Sequence, residues 1–192
     1  ATFVLTNTGA GEDGALMGDL DIVGALTIKG TGTTIIDGNG VDRVFQIRPG
    51  AQAILDGMTV RHGNPGGADG GAIAIDLTGH LTVSNTVIIS NTALSGGAVK
   101  VRGMLKMYDS VIAGNQGGGI SNDGGLLTLS HVDILNNKGG YAVRNQSQGA
   151  LTFEGGLVSG NQGGGIYNAT SSATLNDLTI ANNGGSGLHN EG

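Results

Sequence analysis

The chain has 192 residues, of which 39 are Gly and 2 are Pro, with no Cys, no Trp, 3 Phe and 3 Tyr, and a formal charge of −6 from 15 acidic and 9 basic side chains. Collagen would need a strict three-residue Gly period and abundant Pro, and a flexible linker would lack regularly spaced Ile, Val and Leu, so the Gly content fits neither. At 38% hydrophobic and 12% charged the chain is too apolar for disorder, its few aromatics point to a thin aliphatic core, and its acidic balance leaves no footprint for nucleic acid or an anionic membrane.

The absence of Cys removes a disulfide framework, a thiolate metal site and a Cys nucleophile. No apolar run approaches the roughly 18 residues that span a bilayer, so direct membrane insertion is not expected. The chain opens on Ala1 without a basic-then-apolar leader and is expected to be a processed form or a segment of a longer protein.

In chain order, residues 1–64 hold the less regular part. LTIKG (26–30), TTIIDG (33–38), RVFQIR (43–48) and AILDGMTV (53–60) read as strands divided by Gly-containing turns, and GNPGGADG (63–70) marks a long insert. From 65 to 192 the chain repeats. Each unit opens on a strand after a Gly-rich bend: GGAIAID (70–76), GGAVKVR (96–102), GGISND (118–123), GYAVRN (140–145), GGIYN (164–168) and SGLHN (186–190). A second strand follows, LTV (81–83), LKM (105–107), LTL (127–129), LTF (151–153) or ATL (173–175), with its flanks inward and Thr82, Lys106, Thr128, Thr152 or Thr174 outward. The unit closes on VIISN (87–91), VIAGN (111–115), DILNN (133–137), LVSGN (157–161) or TIANN (179–183).

The closing residues Asn91, Asn115, Asn137, Asn161 and Asn183 are 24, 22, 24 and 22 apart, a period that unrelated segments would not hold. Three short strands per turn of ~22–27 residues predict an all-β parallel β-helix, a single domain of about eight coils over 1–192 and roughly 40 Å tall at ~4.8 Å per strand. A coil of this kind cannot bury its aliphatic face alone, and its narrow interior suits Ile, Val and Leu, which accounts for the scarce aromatics.

One inward position changes character along the chain, from Ile75 and Val101 to Asn122, Asn145, Asn168 and Asn190. Both Asn series are read as structural ladders, each amide donating to the next, because parity turns the position inward and the spacing equals the coil period. The other reading is a row of polar contacts for a glycan.

Chemistry-bearing residues are dispersed. A glycosidase needs two carboxylates converging on one bond, yet the Asp residues are isolated in the sequence, and no catalytic residue is assigned. Asp69 with Asp76, in or beside the long bend, is the nearest candidate for Ca²⁺, but no metal site and no cofactor is expected. His62, His80, His131 and His189 fall in different coils and read as solvated surface residues. GNQGGGI (114–120 and 160–166) looks like a phosphate cradle but opens a strand rather than a helix. Asn145-Gln146-Ser147 and Asn168-Ala169-Thr170 match the glycosylation acceptor pattern at positions that parity turns inward.

Lys100, Ser121, Arg144, Tyr167 and His189 are predicted to form an outward vertical row, a candidate strip for a sugar chain or an anionic partner. The plainer reading is that outward solenoid positions must be polar. The row Thr82, Thr128, Thr152 and Thr174 is similar to the threonine arrays of ice-binding solenoids, but Lys106 breaks it and one file is too narrow.

The segment LTIKGTGTTIIDGNGVDRVFQI (26–47), then ILDGMTVRHGN (54–64), then repeated GGGI(Y)N and LT units, resembles bacterial right-handed parallel β-helix repeat proteins of the secreted, pectate-lyase-like superfamily, including surface proteins with a CSLREA-type start. The opening TFVLTNTGAGEDGAL (2–16) looks like a degenerate form of that start, with the CSLREA stretch itself missing. No catalytic motif of the lyase or polygalacturonase branches matches. The resemblance implies an extracellular or cell-surface solenoid, structural or adhesive, that stacks end to end on itself or on neighbouring domains of a longer chain. The alternative is a glycan-binding or polysaccharide-degrading protein of the same fold.

Overall fold

The computed structural model describes residues 1–7 and 18–191. Most of the segment that resembles a CSLREA-type start therefore lies outside the described residues.

The strands run, in chain order, β1 (Thr2–Val4), β2 (Leu20–Ile22), β3 (Ala25–Asp37), β4 (Phe45–Ile47), β5 (Gln52–Arg61), β6 (Ile73–Ile75), β7 (His80–Ser84), β8 (Val87–Ile89) and β9 (Val99–Val101). They continue with β10 (Met104–Ala113), β11 (Ile120–Asp123), β12 (Leu126–Leu135), β13 (Tyr141–Gln146), β14 (Ala150–Ser159), β15 (Gly164–Ala169), β16 (Ser172–Ala181) and β17 (Leu188–Glu191). They form two parallel sheets. The first stacks β1, β3, β5, the pair β7 and β8, β10, β12, β14 and β16; the second stacks β2, β4, β6, β9, β11, β13, β15 and β17. Register in the second sheet aligns Leu20, Phe45, Ile73, Val99, Ile120, Val143, Ile166 and Leu188, so seven complete coils of 25, 28, 26, 21, 23, 23 and 22 residues link eight rungs.

The second and third strands expected in each coil are mostly one. β5, β10, β12, β14 and β16 each contain both segments, joined at a corner where Gly57, Asn85, Asp109, His131, Gly155 and Asp177 occupy equivalent positions with φ of 71°, 48°, 47°, 52°, 63° and 51°. One left-handed residue turns the chain without interrupting its pairing to the coils above and below, so no loop is needed. Only β7 and β8 are separated at this corner. A second left-handed column, His62, Ser90, Gly114, Asn136, Gly160 and Asn182, ends the strand, immediately before the closing Asn of each repeat and, at His62, before Gly63.

The core has three walls of stacked aliphatics. Leu81, Leu105, Leu127 and Leu151 form one row, Ile88, Ile112, Ile134 and Val158 another, and Val99, Ile120, Val143 and Ile166 a third; all are at most 2% exposed. Burying each such side chain contributes about 1.5–3 kcal/mol. Phe45 and Phe153 are the two aromatics inside, both fully buried.

Candidate functional site

The closing Asn residues stack along the axis. Asn115 Nδ2 donates to Asn137 Oδ1 at 2.9 Å and to the Ile88 and Ala113 carbonyls at 3.1 Å, while Asn115 Oδ1 accepts from the backbone N–H and the side-chain amide of Asn91 at 2.9 and 3.0 Å. The pattern repeats from Asn137 to Asn161 and from Asn161 to Asn183. At the other end the backbone N–H of Gly63 donates to Asn91 Oδ1 at 2.8 Å, so the earlier coil joins the ladder through its backbone.

A second ladder runs beneath the second sheet. Asn122 donates to Asn145, Asn145 to Asn168 and Asn168 to Asn190, each at 2.7 Å. Asn122 also bridges both peptide groups of Gly125, and Asn145 donates to the Ser172 carbonyl at 2.9 Å. Asn122 and Asn145 are fully buried and Asn168 is nearly so, whereas Asn190 on the last rung is exposed. The amide nitrogens of Asn145 and Asn168 are hydrogen-bonded inside the coil, which removes both from the surface a glycosyl transfer would require.

The outer face of the second sheet carries a column of charged and aromatic side chains. Register aligns Lys100, Ser121, Arg144, Tyr167 and His189 in one column. That column is not uniformly outward-accessible: Lys100 is 7% exposed and Ser121 1%. Two bends lie over them, since a Cβ on Gly70 would stand 3.0 Å from Lys100 Cβ and one on Gly96 would stand 3.1 Å from Ser121 Cβ. Coil-length differences create these bends, and strand parity carries no trace of them.

Beneath the first bend Lys100 Nζ lies 3.1 Å from Asp69 and 3.2 Å from Asp123. The Asp123 carboxyl is held below its ordinary range, chiefly by a hydrogen bond from Ser147 and also by Lys100 and Arg102, against a smaller opposing effect of burial. Asp69 and Asp76 share a cleft with Arg43, Gln46, Lys100 and Arg102. Asp76 accepts from Gln46 at 2.9 Å and faces Arg48 at 3.5 Å, so both acids are engaged by donors. Among the described residues no three His, Asp or Glu side chains group as a cation site.

Beyond the second bend the column becomes aromatic. The Tyr141 and Tyr167 rings are 5.2 Å apart, His189 meets Tyr167 edge-on at 5.3 Å, and Arg144 Cζ lies 5.7 Å from the Tyr167 centroid. Tyr167 Oη donates to Glu191 at 2.8 Å, which pushes the phenol pKa up, and His189 Nε2 lies 3.1 Å from the same carboxylate. Parity alone did not place Tyr141 in this group. The readable signal is Gly164, its register partner: a Cβ there would stand 2.6 Å from Tyr141 Cε1, so the ring occupies space that only Gly leaves open.

Three of the four histidines have side-chain partners: His131 Nδ1 lies 3.1 Å from Ser130 Oγ, and the other two are held by carboxylates. His62 Nδ1 lies 3.1 Å from Asp37, which also receives Arg61 at 2.8 Å, and His189 joins the aromatic group. His80 and His131 are exposed.

Stacked coils, two interior amide ladders and outward columns in register define a parallel β-solenoid. Residues 24–192 match the family model described as right-handed β-helix region, and the chain belongs to that family. Comparison with curated proteins and with solved structures finds no match.

Proposed function

We propose that the chain is a non-catalytic solenoid of the cell exterior, structural or adhesive, whose working surface is the outer face of the second sheet. The observation that carries this reading is how the ionisable side chains of that face are used. Lys100 is clamped between Asp69 and Asp123, Arg43 lies 3.2 Å from Asp19, Arg48 bridges Asp21 and Asp76, and Tyr167 and His189 share Glu191. Groups committed to one another fix the shape of a surface. A catalytic acid or base must instead face a reacting atom and exchange a proton with it.

In this reading further β-helix coils, of a longer chain or of a second copy, stack on the solenoid and extend the rod. A panel of acidic and neutral polysaccharides, with and without Ca²⁺, tests the non-catalytic part. No new reducing ends and no unsaturated product are expected, and appearance of either overturns it. Protease accessibility on intact source cells tests the location, with complete protection as the contrary result.

A further inference from the structure

An open groove of about 400 Å³ runs beside the aromatic column. Its lining includes Leu94, 73% exposed, the Tyr141 and Tyr167 rings, Arg144 and several glycines of the bends. This volume falls in the range of small-ligand sites. Resting on the adhesive reading above, we infer that the groove captures the C-terminus of a partner polypeptide whose last side chain is apolar.

Three features support this occupant. The first is charge. Arg144 lines the groove, is exposed and has no carboxylate within 4.0 Å among the described residues. A guanidinium with no carboxylate of its own is complementary to a terminal carboxylate, which it can engage bidentately.

The second is the composition of the walls. No Asp, Glu, Asn or Gln side chain lines the groove, and the planar amides and carboxylates that would pair with sugar hydroxyls are therefore missing from its lining. Its side chains instead offer Leu94, Ile120 and two tyrosine rings, a surface suited to one apolar side chain. The third is that the groove is open along one side. An extended peptide tolerates water there, since its backbone is polar, while an acyl chain would leave apolar surface exposed.

The Tyr141 wall is preset. Its ring lies over Gly164 and packs on Tyr167, so little side-chain entropy is lost when a ligand enters.

The test is fluorescence polarisation with hexapeptides of one common sequence, their last residue varied over Val, Leu, Phe, Ser, Asp and Lys, each as free acid and as C-terminal amide. Free acids ending in Val, Leu or Phe are expected to bind at least tenfold more tightly than their amides and than the Asp or Lys series. R144Q should abolish the preference for the acid, and L94S should abolish the preference for an apolar last residue. Both changes are on exposed side chains, and unchanged thermal unfolding will show that the fold is intact. Equal binding of acid and amide, or no saturable binding by any peptide, overturns the inference. So does selective binding of octanoate or of an oligouronate, and the oligouronate result would leave the adhesive reading standing.

Discussion

The side-chain amide of Asn145 donates to Asn168 Oδ1 at 2.7 Å, one full coil further along the solenoid. Both residues sit where Ile47, Ile75 and Val101 stand in earlier coils, so the inner wall changes from aliphatic to amide along the axis. Buried amides are tolerated there because every rung supplies the partner of the next.

Removing one rung strands two neighbours. Asn145→Ala leaves the Asn122 amide short of an acceptor and Asn168 Oδ1 short of a donor, and is expected to destabilise by about 3 kcal/mol. Thr152→Ala, on the exposed face of the same coil, should stay within about 0.5 kcal/mol. Urea unfolding midpoints of the two variants check the contrast, and similar midpoints would mean that the ladder contributes little.

At the first corner, His131 holds φ of 52° in the column shared with Asn85, Asp109 and Asp177. His131→Val places a β-branched residue in the left-handed region and should cost about 1–2 kcal/mol, while His131→Gly should be neutral or slightly stabilising. Thermal unfolding of the pair measures the difference directly.

Gly63 faces a different constraint. A Cβ at this position would collide with the carbonyl oxygen of Gly71, on the backbone of the next bend. Gly63→Ala should therefore cost about 1–3 kcal/mol, whereas Gly24→Ala, which would meet nothing within 4 Å, should be neutral or stabilising. A Tm fall confined to the first variant is the expected result.

Burial of Asp37 acts to raise its pKa, but the Asn39 N–H, Arg61 and His62 together outweigh it and hold the carboxyl below the ordinary 3.8. A depressed folded-state pKa stabilises the protein above the unfolded value, and that stabilisation is lost as pH falls through the folded value. Asp37→Asn should thus be less stable than the native chain at about pH 6, with the gap closing below pH 3.8. Stability measured across that interval tests it, and a gap that does not narrow would assign the role of Asp37 to packing.

Much of the architecture is legible from period and parity. The 22- and 24-residue spacing of Asn91, Asn115, Asn137, Asn161 and Asn183 locates the coils, and the aliphatic residue three before each Asn locates the wall. The outer face is less legible. Arg144, Tyr167 and His189 are aligned as parity requires, yet Lys100 and Ser121 from the same column lie under bends formed by longer coils. Tyr141 joins the site only because the next coil has Gly at its register partner, a relation between residues 23 apart.

The class of fold is readable from residue order, because a solenoid repeats one local pattern and each repeat records its own inward positions. Which outward residues are available depends on contacts between coils. That outcome depends on where bends of unequal length settle over neighbouring rungs: Gly70 and Gly96 bring backbone onto Lys100 and Ser121, and Gly164 leaves the space that Tyr141 fills. No local pattern encodes contacts between coils of different length, so the rod is legible in the sequence and the shape of its outer face is not.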